Sequence, residues 1–218
     1  MRHKTRGEKM RLRNIKNAEE ILNNSRYLLK PEGKISSKEI FNNSNPLHLE
    51  IGMGKGDFII GMAQNYPDIN FIGIEKYESV IARALQKLDE LELSNVKVIC
   101  MDASNLEDIF DKEVEEIYLN FSDPWPKNRH FKRRLTYKDY LKIYDKLFKE
   151  HASLTIKTDN DIFFESTLVS LNNYGYVFDK VSLDLWKEDI FSPKTEYEQK
   201  FGNKGFKIKY LKAHKNLL

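Results

Sequence analysis

Short apolar runs rich in β-branched residues recur along this chain, and amphipathic helical patterns fill most of the intervals between them. No other feature constrains the fold as strongly. Strands buried on both faces read as continuous apolar runs, and joining them in parallel requires helical crossovers. The runs lie near residues 47–51, 70–75, 96–101, 117–121, 153–158, 176–183 and 206–212. Helical patterns lie near 58–65, 79–91, 137–149 and 162–172, with a short turn at 106–110. Thr136, with Asp139 three residues on, offers a capping-box-like start for the helix at 137, and Gly175 stands where the last helix should stop. The expected architecture is α/β: a seven-stranded, mostly parallel sheet with helices on both faces. A charged, loop-like segment separates the last two runs, so one of those two strands is expected to run antiparallel at the sheet's edge.

Residues 1–46 have a different character and are expected to form an appendage to a domain over 47–218. The first 16 residues hold seven Lys or Arg and one acid. A helical pattern follows over 18–29, stopped before Pro31, and then a polar linker with NNSN at 42–45. The formal charge of the whole chain is only +3, so a polyanionic partner must be read from where the cations sit. No apolar stretch of signal-peptide length follows Met1, and no run approaches the ~18 apolar residues of a membrane span. A cytoplasmic protein without a membrane partner is expected. Cys100 is the single cysteine and lies in an apolar run, VKVICM, which reads as a buried, inert thiol. His48, His151 and His214 lack metal-ligand spacing, so no metal is expected.

The first strand runs into LEIGMGKGD, with Gly52, Gly54 and Gly56 at alternate positions ahead of a helix. Such a turn lets backbone N–H groups approach a ligand, because no Cβ intervenes. A dinucleotide fingerprint counted from Gly52 would place a third glycine where Asp57 stands, and an acid at a helix N-terminus repels a diphosphate. A nicotinamide dehydrogenase is weakened on that count. The next two strands end in Glu75 (FIGIE) and Asp102 (CMDAS). With Glu50, three acids sit toward the carboxyl ends of neighbouring strands, where open α/β sheets bind ligands. A carboxylate about 20 residues beyond a glycine turn can accept both hydrogen bonds of a ribose diol.

The succession LEIGMGKGD, FIGIE and MDA resembles the class I methyltransferases that use S-adenosyl-L-methionine and release S-adenosyl-L-homocysteine. The resemblance implies a Rossmann-like fold in which Glu50 helps organise the glycine turn, Gly52, Gly54 and Gly56 approach the methionine portion, Glu75 binds ribose, and Asp102 sits by the adenine. It implies a cofactor, not a substrate.

The fourth strand delivers Ser122-Asp123-Pro124-Trp125-Pro126 to the same rim. Pro124 favours extended geometry at Asp123, so the carboxylate is presented with little freedom. Guanine offers two adjacent donors, N1–H and N2–H, that one carboxylate can accept. Its N7, on the opposite edge, already carries a lone pair, so attack on a sulfonium methyl needs no base beforehand. Lys127, Arg129, Lys132, Arg133 and Arg134, with His130 among them, then form a basic ribbon. Beside a methyl-donor pocket, it suits a polyanionic strand held by its phosphates while the acid reads the base.

FSDPWPKNRHFKRRLT, with TD at 158–159 and TEYEQKF at 195–201, resembles the tRNA (guanine-N7-)-methyltransferase family, whose bacterial members act as one chain on the guanine of the tRNA variable loop, position 46. That resemblance implies tRNA rather than DNA as partner. It also implies Asp123 as the catalytic-site acid, close to the cofactor as well. Lys127, Asp159, Thr195, Glu196, Tyr197 and Glu198 would contact substrate, and Arg129, His130, Phe131, Lys132, Arg133 and Arg134 would lie along the RNA. A monomer and a homodimer are equally compatible. The residues themselves also permit a methyltransferase acting on an exocyclic amino group, since S-D-P-W distantly resembles D-P-P-Y, or a non-catalytic RNA-binding module. SPKTEYEQKFGNKG reads in isolation as a polar loop before the last strand.

Overall fold

The structure is a computed structural model that describes residues 17–217. The basic arm over 1–16 lies outside the described residues. The chain enters through α1 (Ala18–Asn24), β1 (Leu28–Leu29) and α2 (Ser37–Phe41). It continues through β2 (Leu47–Ile51), α3 (Asp57–Asn65), β3 (Asn70–Glu75), α4 (Glu78–Asp89) and β4 (Val96–Cys100). Next come α5 (Leu106–Ile109), β5 (Val114–Asn120), α6 (Lys138–Leu147), β6 (His151–Thr158) and α7 (Asp161–Asn173). The chain ends with β7 (Val177–Ser182), α8 (Glu196–Gly202) and β8 (Lys209–Asn216).

One sheet forms in the order β1-β4-β3-β2-β5-β6-β8-β7. Pairing is parallel from β1 through β6, and β8 runs antiparallel to both of its neighbours. The antiparallel strand is thus one place in from the edge, and β7 is the edge itself. The expected seven strands gain an eighth, β1, from within the segment that reads as helix over 18–29. The helix stops at Asn24 because the chain beyond it is tied elsewhere. Ser25 turns extended and its hydroxyl donates to Asp89, while Tyr27 is buried with its phenol donating to the Leu91 carbonyl. Leu28 and Leu29 then pair with Val98 and Ile99 of β4.

The sheet has an apolar layer on each face. Phe71 of β3 packs with Phe58, Ile59, Ile81 and Leu85 of α3 and α4, while Ile72 and Ile74 meet the layer of Leu141, Tyr144 and Phe163 from α6 and α7. All six residues of β3 are buried, which is why its sequence shows no polar alternation. Fully burying one such Ile, Leu or Phe contributes about 1.5–3 kcal/mol. Gly175 ends α7 as expected: at φ +94° it donates to Asn172 O, and Tyr176 N donates to Leu171 O, the two bonds of a Schellman stop. The capping box at 136 does not form. Thr136 is buried and its hydroxyl pairs with Thr167 at 3.1 Å, leaving Tyr137 at the helix entry without a side-chain cap. Among the described residues no helix is long and apolar enough to cross a membrane.

Candidate active site

Four parallel strands, β4, β3, β2 and β5, bring their carboxyl ends to one rim, and a cleft of about 760 Å3 opens there. Gly52, Gly54, Glu75, Asp102, Ser122, Asp123, Trp125 and Arg133 all line it. Cofactor-type and substrate-type residues therefore share one space. A wider hollow of about 1070 Å3 between α1, β1 and β4 contains none of the sequence-predicted site residues.

The glycine turn forms because Gly52 and Gly54 hold φ of +77° and +57°, a region costly to residues with a Cβ. A Cβ at either would meet no heavy atom within 4 Å, so both face open cleft. Gly56 has a different job: its Cα lies against α4, where a Cβ would come within 3.1 Å of Ala84. Glu75 accepts from Gly54 N at 3.1 Å and from Lys76 N and Tyr77 N at 2.8 and 3.1 Å, which holds its carboxylate at the cleft wall. Asp102 accepts from Ser104 N at 2.9 Å and meets Lys76 Nζ at 2.6 Å. Lys76 first, then Ser104, hold its pKa down at about 2. Val80, Met101, Leu135 and Tyr140 supply apolar wall between these acids. Ser122 Oγ, buried, has no partner among the described residues. An open glycine cradle, two carboxylates, an orphan hydroxyl and an apolar flank fit an amino acid joined to a nucleoside.

Glu50 does not line the cleft. It is 1% exposed, Oε1 accepts from Asn120 at 2.8 Å, and Oε2 has no partner among the described residues. Burial drives its pKa up to about 8, against the pull of Asn120 and Lys157. Cys100 is half-buried rather than buried, and desolvation, with Glu78 and Glu75, raises its pKa, so the thiol stays protonated.

The acidic corner is tighter than its prolines alone require. Phe121 and Trp125, both bulky, take φ of +52° and +40° on either side of Asp123. Residues of that kind occupy this region only where surrounding contacts over-determine them. The main restraint comes from the supposed RNA ribbon. Arg134 donates through Nε to Pro124 O at 2.9 Å and through Nη2 to Trp125 O at 3.2 Å, so it faces the corner and not the solvent. Arg133 lies 4.9 Å from the Trp125 ring centre, and His130 meets the same ring at 5.9 Å. Asp123 itself is exposed, with no hydrogen-bond partner among the described residues.

The ribbon forms a 3-10 helix, Asn128–Arg133, rather than a loop. Lys127, Arg129 and Lys132 are exposed with no carboxylate within 4 Å among the described residues, and Phe131 is 41% exposed against Tyr137. Desolvation and the neighbouring Arg133, Arg129 and Lys127 lower the pKa of His130, which favours its neutral form.

The segment that reads as a loop at 192–205 contains α8. Thr195 caps it by accepting from Glu198 N at 2.9 Å, and the T-x-x-E spacing was the signal that could have found it. Glu196 pairs with Lys55 of the glycine turn, and its N–H donates to Asp57 at 3.0 Å. Tyr197 donates to Asp159 at 3.2 Å and packs on Phe121 at 5.1 Å, which puts both beside the acid corner. Glu198 faces the other way. It is 0% exposed, bonded to Lys157 at 2.8 Å and to Trp186 at 3.0 Å, so it holds α8 in place and does not present itself to a substrate. Lys157, Trp186 and Lys55 carry structure at this site, and their sequence context did not single them out.

Residues 44–211 match the Methyltransf_4 family, described as "Putative methyltransferase". A curated tRNA (guanine-N(7)-)-methyltransferase of Geobacillus thermodenitrificans is 54% identical over 172 residues, covering 78% of this chain and 80% of that protein. One from Streptococcus pneumoniae is 49% identical over 201 residues, covering 90% and 95%. The solved structure of the 16S rRNA methyltransferase KamB superposes with a TM-score of 0.63 at 14% identity, over 88% of this chain and 99% of that one, a likeness of fold. The architecture is that of the class I S-adenosylmethionine-dependent methyltransferases. With half its residues shared across most of its length, and a glycine cradle and proline-bound acid opening onto one cleft, the chain belongs to the tRNA (guanine-N7-)-methyltransferase family.

Proposed function

We propose that this protein transfers a methyl group from S-adenosylmethionine to N7 of the guanine in the tRNA variable loop. The observation that carries the reading is the shared cleft: Gly52, Gly54, Glu75 and Asp102 line it together with Asp123. When bound, S-adenosylmethionine supplies an electrophilic methyl on a sulfonium. The open, Cβ-free glycine turn would receive its amino-acid end, Glu75 would accept from the ribose, and Asp102 would stand by the adenine. Glu50, beneath the turn, supports it from the interior. Asp123 accepts from guanine N1–H and N2–H and so turns N7 toward the methyl. No residue has to remove a proton before attack, because that nitrogen offers a free lone pair. The chain's contribution is placement and exclusion of water.

Lys127, Asp159, Thr195, Glu196 and Tyr197 surround the target nucleotide, and Arg129, His130, Phe131 and Lys132 follow the strand, with Arg133 at the cleft mouth. The segment over 1–46 adds phosphate contacts through its basic start, while β1 pairs with β4 as a strand of the sheet and α1 packs on α4. The setting is cytoplasmic and the nucleic-acid partner is tRNA.

The test uses purified protein, radiolabelled methyl donor and unmodified tRNA transcripts, one with its variable-loop guanine replaced. Label should enter the first transcript and not the second, and borohydride and aniline should cleave the product at the modified base. Equal labelling of both transcripts, or a product that resists cleavage as an exocyclic methylamine does, overturns the reading. Asp123→Ala should abolish turnover while tRNA affinity stays within about tenfold, since phosphate contacts supply most of the binding.

A further inference from the structure

The far end of α8 and the turn into β8 carry features that neither the cofactor rim nor the basic 3-10 helix explains. Four aromatic rings run outward from the acid corner. Phe121, next to Ser122 and Asp123, meets Tyr197 at 5.1 Å, Tyr197 stacks on Phe201 at 4.2 Å and 29°, and Phe201 meets Phe206 edge-on at 5.6 Å. The outermost ring, Phe206, is 52% open to solvent, and Tyr197 within the row is 40% open. An isolated exposed aromatic needs no explanation, but a row that starts at the cleft does.

Cations flank this row. The stretch KFGNKGFK, residues 200–207, contains three lysines and no acid. Lys200 and Lys204 lie 5.9 and 5.4 Å from the Phe201 ring centre. Among the described residues, Lys200, Lys204 and Lys207 have no carboxylate within 4 Å, whereas nearby Lys187, Lys209 and Lys212 are each paired. The platform is also rigid. Glu198 anchors α8 to Lys157 and Trp186, and Gly202 sits so close to Trp186 that a Cβ would come within 2.2 Å of the indole.

Resting on the function proposed above, we infer that the turn at 200–207 is a second tRNA-binding arm, on which an unpaired nucleotide beside the target guanine stacks on Phe206 while Lys200, Lys204 and Lys207 hold the flanking phosphates. Stacking on aromatic faces within a cationic track is how proteins hold unpaired strands without reading sequence, since every base has a π-face. The target guanine must leave its own stack to enter the cleft, and an adjoining platform gives its neighbour a new one. The 3-10 helix meets the acid corner at Trp125, two residues after Asp123, and this arm meets it at Phe121, two residues before. The RNA is thus gripped on both flanks of the reacting base.

The test measures tRNA affinity over a series of salt concentrations with the full chain. Replacing Lys200, Lys204 and Lys207 together by Ala should reduce the slope of log affinity against log salt by about 2–3, at ~0.7–0.9 for each phosphate left without its cation. Phe206→Ala should weaken binding by about tenfold with the slope unchanged, and Phe206→Trp should restore it. Binding of S-adenosylhomocysteine by calorimetry should match the wild type in every variant. A control replaces Lys112, Lys146 and Lys149, at the opposite rim of the sheet. An unchanged slope in the arm variant, as expected if the patch serves an acidic protein partner instead, overturns the inference, as does an equal fall in the control. Methyl transfer by the wild type is scored separately, so failure of the catalytic reading and failure of the arm produce different results.

Discussion

Arg133 and Arg134 are neighbours with the same charge and opposite tasks. Arg133 faces the cleft over Trp125, while Arg134 turns its fork inward onto the carbonyls of Pro124 and Trp125. Arg134 is therefore a positioning residue for Asp123. Arg134→Ala should lower kcat by about ten- to a hundredfold through misplacement of the acid, with KM for tRNA and the salt dependence of binding nearly unchanged. Arg134→Lys should recover little of it, because an ammonium cannot bond two carbonyls in fixed directions. A raised KM with kcat intact would return Arg134 to the RNA-facing set. Glu50 provides a second test at this scale. Its pKa rises from 4.5 to about 8, so between those values the folded chain binds more protons than the unfolded chain and stability falls as pH rises. Glu50→Gln keeps an acceptor for Asn120 and removes that dependence. Urea melts of the cofactor-free variant should show a flatter pH profile and a gain over wild type near pH 8, and a loss there would contradict the assignment. The meeting of Gly52, Gly54, Glu75, Asp102 and Asp123 at one cleft was legible in the sequence because each stands at or just beyond a strand end. Arg134 and Glu198 were not, because a charge in a sequence does not name its partner.

At the scale of elements, β2, β3 and β4 were legible to within a residue, since runs buried on both faces have sharp limits, while β5 and β6 begin three and two residues before the runs that marked them. The misreadings cluster where tertiary contacts override local pattern. The helix read over 18–29 ends at Asn24 because Ser25 and Tyr27 are anchored to the α4 end and the loop after it. The last strand begins at Lys209 rather than near 206, because Phe206 and Lys207 belong to the turn. The polar composition of α8 hid a helix seated through a buried ion pair, Lys157 with Glu198. Burial lowers the Lys157 pKa and Glu198 opposes that shift. Glu198→Ala strands the cation and should destabilise the fold by about 3–5 kcal/mol. Lys157→Met combined with Glu198→Leu should lose much less in urea denaturation, with Trp186 fluorescence reporting whether α8 stays seated. Equal losses in the single and double variants would mean the pair is not what holds it.

For the whole molecule, the strand order brings the glycine turn, Glu75, Asp102 and Asp123 to one rim, and that much followed from the alternation of strands and helices. The link across the rim did not. Lys55 and Asp57 stand on the glycine turn, yet their side chains reach Glu196 at the start of α8. Coupling between two ligands is reciprocal, so S-adenosylhomocysteine and tRNA should alter each other's affinity by one common factor. Lys55→Met with Asp57→Ala should bring that factor toward unity while each ligand still binds alone. A factor equal to that of the wild type would show that the tether carries no information. Where it does, the seats of the two reactants share a hinge: whichever product departs first loosens its companion, and a turnover acquires a preferred direction instead of two unrelated exchanges.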